Sequence, residues 1–136
     1  MTDTNLFLDS SIWLGYFLEN IPKTKEIIDS EENTLFTSII SIHEITKRLE
    51  KLKKTQKEIN EALKFIEENS IIIGIDKKTA LTAVENCRKY KLHTVDSLIY
   101  SSAAEINTTF ITADTDFKKC PKTRIIEIKS KKEKNK

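Results

Sequence analysis

The stretch FITADTD, residues 110–116, joins a short apolar run to two acidic residues, Asp114 and Asp116. A similar arrangement stands near the start of the chain, where the apolar run at residues 6–8 ends at Asp9. Short runs rich in Phe, Ile and Thr are typical of strands. In open α/β sheets, ligands bind just beyond the carboxyl ends of the strands. The two stretches therefore predict acidic side chains gathered at one edge of a sheet.

Short apolar runs recur along the whole chain, and each predicts a strand. They lie at residues 5–8, 34–37, 71–75, 109–112 and 125–128. The segments between them are long enough for helices, and this alternation is typical of parallel sheets. We therefore predict one α/β domain, an α/β/α sandwich with a mainly parallel, roughly five-stranded central sheet. We place this domain at residues 1–129 and a basic, flexible tail at 130–136.

A helix is predicted after Thr94 from its apolar spacing. The stripe consists of Val95, Leu98, Ile99, Ser102, Ala103 and Ile106. Thr94 is a suitable N-cap, which places Asp96 in the first turn. Asn107 is suited to end the helix, because asparagine tolerates the left-handed conformation.

Glu44 belongs to an earlier predicted helix, at the border of its apolar face. That face is formed by Ile42, Ile45, Leu49 and Leu52. Glu44 lies about 100° from Ile45 around the helix, so its side chain is able to reach a cleft while the helix packs on the sheet. Two further helices are predicted at residues 57–69 and 76–90, the second with Asp76 as its N-cap.

The composition is that of an ordinary globular protein. The 136 residues carry a net charge of +2 and include 38% hydrophobic and 32% charged residues. No stretch approaches the roughly 18 apolar residues of a membrane span, and residues 1–5 do not resemble the start of a signal peptide. Cys87 and Cys120 lack the spacing of a metal or redox pair. We therefore expect a cytoplasmic protein, with both cysteines and the isolated His43 and His93 as structural residues.

Basic residues are unevenly distributed. One group surrounds Lys47, Arg48 and Lys51, a second contains Lys118 and Lys119, and the tail is mostly lysine. Such patches are able to hold a polyanion beside carboxylates that would otherwise repel it. The alternative is that they are solvated helix faces and a disordered tail.

Each acidic residue also has a local explanation. Asp96 suits a helix N-terminus, and Asp9 is placed to cap the helix that follows it. Asp114 and Asp116 suit a turn, and Glu44 is spaced for an ion pair with an arginine four residues later. Taken together, these carboxylates would raise one another's pKa unless a cation joined them. Mg²⁺ or Mn²⁺ fits such oxygen ligands, whereas the lack of a Cys/His cluster argues against zinc.

Four motifs in order resemble those of PIN-domain nucleases, and most closely those of VapC toxins. They are Leu8-Asp9-Ser10-Ser11-Ile12, residues 41–45 with Glu44, residues 95–99 leading into Ala103-Ala104, and Ile111-Thr112-Ala113-Asp114-Thr115-Asp116-Phe117. The resemblance covers nearly the whole chain. It implies an endoribonuclease that uses Mg²⁺ or Mn²⁺, often as a homodimer, and that is commonly paired with a small antitoxin.

The resemblance also implies roles for individual residues. Asp9, Glu44, Asp96 and Asp114 match the acidic quartet of the family, and Asp116 matches its accessory acid. The implied metal ligands are Asp9, Asp96, Asp114 and Asp116. Thr112 matches a hydroxyl beside the acids, and Ser10 or Ser11 matches the small polar residues after the first acid. Asn107 replaces a glycine common in the family.

The expected chemistry is hydrolysis of RNA to 5′-phosphate and 3′-hydroxyl ends by metal-activated water. Arg48, Lys51 and Lys118 are the candidate substrate-binding residues. Three alternatives remain: a housekeeping RNA-processing nuclease of the same family, a non-catalytic RNA-binding module, and a receiver-type domain phosphorylated at Asp76.

Overall fold

Five strands form one all-parallel sheet in the computed structural model, which describes residues 4–19 and 21–128. The strands are β1 (Asn5–Leu8), β2 (Thr34–Ser38), β3 (Ile71–Ile73), β4 (Thr109–Thr112) and β5 (Thr123–Ile125). Their order across the sheet is β3-β2-β1-β4-β5, and every neighbouring pair is parallel. The predicted α/β fold with a parallel five-stranded sheet is confirmed.

Six α-helices connect these strands within the described ranges. They are α1 (Ser10–Leu14), α2 (Pro22–Asp29), α3 (Ile39–Lys51), α4 (Gln56–Asn69), α5 (Lys77–Tyr90) and α6 (Thr94–Glu105). A π-helical segment, Gly15–Glu19, continues α1, and a 3₁₀ turn, Thr115–Phe117, follows β4.

Local capping explains where several helices begin. Thr55 and Glu58 form a capping box at the start of α4, in which each side chain accepts a hydrogen bond from the other's backbone N–H. Asp76 caps α5 by accepting from the backbone N–H of Thr79 at 2.9 Å, as predicted. Asn107 has a left-handed φ of 55° just after α6, which confirms its predicted role in ending that helix.

The core has two parts, because successive residues of a strand point to opposite faces of the sheet. Leu6, Leu8 and Ile111 pack into one cluster with helices α1 to α4. Phe7 and Phe110 pack into the other with Ile99, Tyr100 and Ala103 of α6. Helices therefore cover both faces, as expected for a parallel sheet.

Several predicted element boundaries are wrong. The last strand lies at Thr123–Ile125 and not at 125–128, and β3 ends at Ile73 and not at residue 75. These edge strands are short because β3 pairs only with β2, and β5 only with β4. Where an apolar run continues past the end of the neighbouring strand, its backbone groups have no strand partner for hydrogen bonds. The strand therefore ends there.

The predicted start of α6 and the ends of its apolar stripe also need correction. His93 occupies the N-cap position, and Thr94 is the first helical residue. Val95 and Ile106 are each 40% exposed, whereas Ile99, Ser102 and Ala103 between them are buried. A twelve-residue helix is about 18 Å long, and β4 spans only about 13 Å, so both ends of α6 extend past the strand that it covers.

No helix in the described part of the chain is long and apolar enough to cross a membrane. The predicted basic tail at 130–136 lies outside the described residues.

Candidate active site

Parallel pairing of β1 with β4 brings Asp9 beside Thr112. Leu8 pairs with Ile111, so the residues that follow them meet at the carboxyl edge of the sheet. The Thr112 hydroxyl donates a hydrogen bond to Asp9 Oδ2 at 2.7 Å, and the Ser11 hydroxyl donates to the same oxygen at 3.0 Å. Asp9 is only 6% exposed. Asp9 stands at the N-cap position of α1 without a side-chain capping bond, so its predicted capping role is wrong.

The same two hydroxyls organise the loop after β4. Ser11 Oγ accepts from the backbone N–H of Ala113 at 2.9 Å, and Thr112 Oγ1 accepts from that of Asp114 at 3.0 Å. Asp114 Oδ1 then accepts from the backbone N–H of Asp116 at 2.9 Å, which confirms the turn predicted for this pair. The first and last motifs of the sequence are therefore joined by one hydrogen-bonded network.

Three acids converge at this edge. Helix α6 leads into β4 and runs back across the sheet, so its first turn lies at the carboxyl edge. That turn contains Asp96, as predicted. Carboxylate oxygens of Asp96, Asp114 and Asp116 lie within 4.8 Å of one another, and this is the only such acidic group among the described residues. We call these three residues the acidic triad.

Glu44 reaches the same edge from α3, which begins directly after β2. Its Oε1 accepts a hydrogen bond from the Ser10 hydroxyl at 2.6 Å. Glu44 is half-buried, as expected for a residue at the border of the helix face. Neither Glu44 nor Asp9 belongs to the acidic triad, so the five predicted acids form a triad with two flanking carboxylates.

Burial and mutual repulsion disfavour ionisation at this edge. The pKa of Asp9 is raised to about 6, mainly because the side chain is buried, although the bonds from Thr112 and Ser11 oppose the rise. The pKa of Asp96 is also raised to about 6, first by burial and then by the charges of Asp114 and Glu44. Such an arrangement is stabilised by a cation that shares these oxygens.

Two open grooves flank the acidic triad. The α3 groove is lined by Ile40, His43, Glu44, Lys47, Arg48, Lys51 and Val95. The 3₁₀ groove is lined by Tyr90, Lys91, His93, Thr115, Asp116, Lys118 and Lys119. The three predicted substrate-binding residues, Arg48, Lys51 and Lys118, thus lie in grooves that contain acids of the site. His43 and His93 are exposed in these grooves, and His93 also occupies the N-cap position of α6.

Ser10 and Ser11 both support the site, whereas the resemblance implied one or the other. Ser10 and Ser11 are equivalent in sequence, yet Ser10 bonds to Glu44 and Ser11 bonds to Asp9. Their different partners follow from the helical turn that begins at Ser10, which sends adjacent side chains about 100° apart. In the sequence, the only indication that the two serines have different partners is that a helix begins directly after the acid at the strand end.

The fold and the site define a class: α/β proteins with an all-parallel sheet and carboxylates gathered at its carboxyl edge. The PIN domain family model matches residues 6–122. The chain belongs to the PIN domain family.

Three solved bacterial structures have the same fold. A toxin–antitoxin complex from Klebsiella pneumoniae has a TM-score of 0.76 at 22% identity, covering 90% of this chain and 99% of that one. VapBC2 from Rickettsia felis, bound to a DNA fragment from its promoter, has a TM-score of 0.72 at 21% identity, with 90% and 97% covered. VapC20 from Mycobacterium tuberculosis, a toxin that cleaves the sarcin–ricin loop, has a TM-score of 0.70 at 14% identity, with 92% and 99% covered. No curated protein matches the sequence.

Proposed function

We propose that this protein is a divalent-metal-dependent endoribonuclease and the toxin of a VapBC-type toxin–antitoxin pair. The observation that carries the proposal is the acidic triad, whose oxygens lie within 4.8 Å of one another at the carboxyl edge of a PIN-domain sheet. The toxin–antitoxin systems among the structures of the same fold support the choice of toxin.

The proposed metal ligands are the acidic triad and Asp9, and the proposed ion is Mg²⁺ or Mn²⁺. A donor set made only of carboxylates fits these hard cations. It also fits the raised pKa of Asp96, because a cation removes the repulsion from Asp114 and Glu44. When bound, the ion supplies a water of lowered pKa and stabilises charge on the phosphate and the leaving oxygen.

The side chains of the chain itself position the reacting groups. Thr112 and Ser11 hold the Asp9 carboxylate in one orientation. Ser10 holds Glu44 toward the site, where its second oxygen is able to orient a water molecule. We propose cleavage to a 5′-phosphate and a 3′-hydroxyl, with Arg48, Lys51 and Lys118 contacting phosphates of the substrate.

The proposed partners are RNA as substrate, a small antitoxin that blocks the site, and a second copy of the chain in a homodimer. The proposed location is the cytoplasm, where such an RNA is accessible. A housekeeping RNA-processing role differs in having no antitoxin. The neighbouring reading frames separate the two: the toxin role requires that one of them encodes a small protein which, when co-expressed, copurifies with the chain and stops cleavage.

The receiver-type alternative is wrong. Receiver-type sheets have the strand order 2-1-3-4-5, whereas the order here is 3-2-1-4-5. Asp76 also has a structural role, since its side chain accepts hydrogen bonds from both the backbone N–H and the hydroxyl of Thr79.

The test of the proposed function is RNA cleavage by the purified full chain with Mg²⁺ or Mn²⁺, with and without a chelator. The control is Asp29→Asn, the same chemical change at an exposed position on α2. Wild type and Asp29→Asn should cleave and stop with chelator, and Asp96→Asn should be inactive. Equal cleavage by Asp96→Asn refutes its assignment. Binding of RNA without cleavage by the wild type refutes the nuclease and favours the RNA-binding module.

A further inference from the structure

The N-terminus of α6 separates the two grooves that flank the acidic triad. Val95 lines the α3 groove, and His93, two residues earlier, lines the 3₁₀ groove. Asp96 stands between them, since it is close enough to both Glu44 and Asp116 for their charges to affect its pKa. The grooves therefore meet at the acids from opposite sides of a single helical turn.

Each groove is lined by three lysine or arginine residues. The α3 groove has Lys47, Arg48 and Lys51, and the 3₁₀ groove has Lys91, Lys118 and Lys119. All six are exposed. The acid in each groove, Glu44 or Asp116, belongs to the candidate site. A polyanion that followed either groove would be led to the carboxylates.

We propose that the RNA strand crosses the first turn of α6, with phosphates on one side of the scissile bond in the α3 groove and phosphates on the other side in the 3₁₀ groove. This inference rests on the proposed ribonuclease function and assigns Lys47, Lys91 and Lys119 to substrate binding. Cations on both sides of the acids are able to contact phosphates on both sides of the scissile bond. The two-sided arrangement is thus compatible with the proposed cutting within a strand.

A nucleic acid fits the grooves better than an acidic protein segment does. A single strand presents a charge at every nucleotide, so one extended ligand is able to contact cations in both grooves. Its path also places a phosphodiester beside the acidic triad, whose carboxylates are suited to hold a metal ion.

The test measures binding in the Asp96→Asn background, where the strand stays intact. The probe is a fluorescent oligouridylate of about twelve nucleotides, within the range that single-strand sites cover. Two double variants each remove two cations. One carries Lys47→Ala and Lys51→Ala in the α3 groove, and the other carries Lys91→Ala and Lys119→Ala in the 3₁₀ groove. The matched control removes two exposed lysines of α4, Lys57→Ala with Lys64→Ala.

The double variant of each groove should reduce the slope of log affinity against log salt by about 1.4. Each lysine that contacts a phosphate of a single strand contributes about 0.7 to this slope. The two pairs combined should reduce it by about twice as much, and the control should leave it unchanged. A probe of about four nucleotides is too short to fill both grooves. It should therefore tolerate the loss of either pair and weaken only when both are lost.

The proposed RNA path is wrong if the double variant of either groove changes the salt slope of the long probe no more than the control variant does. It is also wrong if an oligoglutamate of equal charge displaces the RNA as well as unlabelled oligouridylate does, because the grooves would then suit an acidic protein. Binding is measured without cleavage, so the result does not depend on whether the protein is a nuclease. If the wild-type chain cleaves no RNA while both slope changes are seen in the Asp96→Asn background, the nuclease is refuted and the RNA path is supported.

Discussion

Asp9 and the acidic triad lie at the same edge of one sheet, yet the protein stabilises them in opposite ways. Asp9 is buried, and two hydroxyls of the protein donate hydrogen bonds to one of its oxygens. The triad is half-buried to exposed, and its members lie within 4.8 Å of one another. The buried acid is stabilised from within the fold, whereas the triad needs positive charge from outside.

The pKa values of Asp9 and Asp96 are raised for different reasons. The pKa of Asp9 and that of Asp96 are both raised to about 6. For Asp9, burial outweighs the hydrogen bonds that favour the charged form. For Asp96, burial is reinforced by the neighbouring carboxylates Asp114 and Glu44. A bound cation should therefore act mainly on the triad, and substitutions of the hydroxyls mainly on Asp9.

The largest expected effect is that of Asp114→Asn on metal binding. Wild type should gain thermal stability with Mn²⁺, by about 2.7 kcal/mol at a concentration near 100 Kd. Asp114→Asn should lose this gain, and RNA cleavage should fall by about 10³-fold or more, because the metal contributes several kcal/mol to catalysis. Thermal melts with and without Mn²⁺, together with cleavage rates, measure both.

Without metal, Asp114→Asn should be at least as stable as wild type. The substitution removes repulsion from Asp96, and asparagine keeps an oxygen for the backbone N–H of Asp116. Asp29→Asn, outside the site, should respond to Mn²⁺ as wild type does. An equal Mn²⁺ stabilisation of wild type and Asp114→Asn contradicts the role of the triad.

The next effect concerns Asp9 and pH in metal-free protein. Its pKa is raised in the folded state from 3.8 to about 6, so the folded state binds more protons than the unfolded state between these values. The free energy of unfolding should therefore fall as pH rises from about 4 to about 6. Asp9 should contribute about 3 kcal/mol to this fall, since each pKa unit corresponds to 1.36 kcal/mol.

Asp9→Asn should remove that contribution, because the amide keeps an acceptor oxygen for the two hydroxyls and carries no charge. Asp96→Asn should flatten the curve less, since Asp96 is only half-buried and solvent screens its charge. Urea unfolding across this pH range in the presence of chelator measures the change. A curve for Asp9→Asn as steep as that of wild type would show that burial does not control this acid.

The smallest expected effect compares Thr112→Val with Thr112→Ser. Valine removes the donor to Asp9 and the acceptor for the Asp114 backbone N–H. This should cost about 1–3 kcal/mol at neutral pH and reduce cleavage by roughly 10- to 100-fold, as loss of an outer ligand partner does. Serine keeps the hydroxyl and should cost less than about 1 kcal/mol. Equal unfolding energies for the two variants would mean that the hydroxyl contributes nothing.

Elements inside the sheet were predictable, and elements at its edges were less so. The strands at residues 5–8 and 109–112 lie where their apolar runs predict them, because both are buried and paired on two sides. Each edge strand pairs on one side only, so its length follows its partner and not its own apolar run. The start of α6 was misplaced by one residue because His93 holds the N-cap position without a side-chain bond.

The sequence by itself determined the fold class, the acidic residues and the edge at which they gather, because strand periodicity and strand ends are local properties. The tertiary structure alone decided which side chains of the site lie beside one another. Parallel pairing of β1 with β4 places Thr112 beside Asp9, and the return of α6 places Asp96 beside Asp114. These contacts join residues about a hundred positions apart in one case and 18 in the other. Strand register and helix packing, which act across the whole domain, set them.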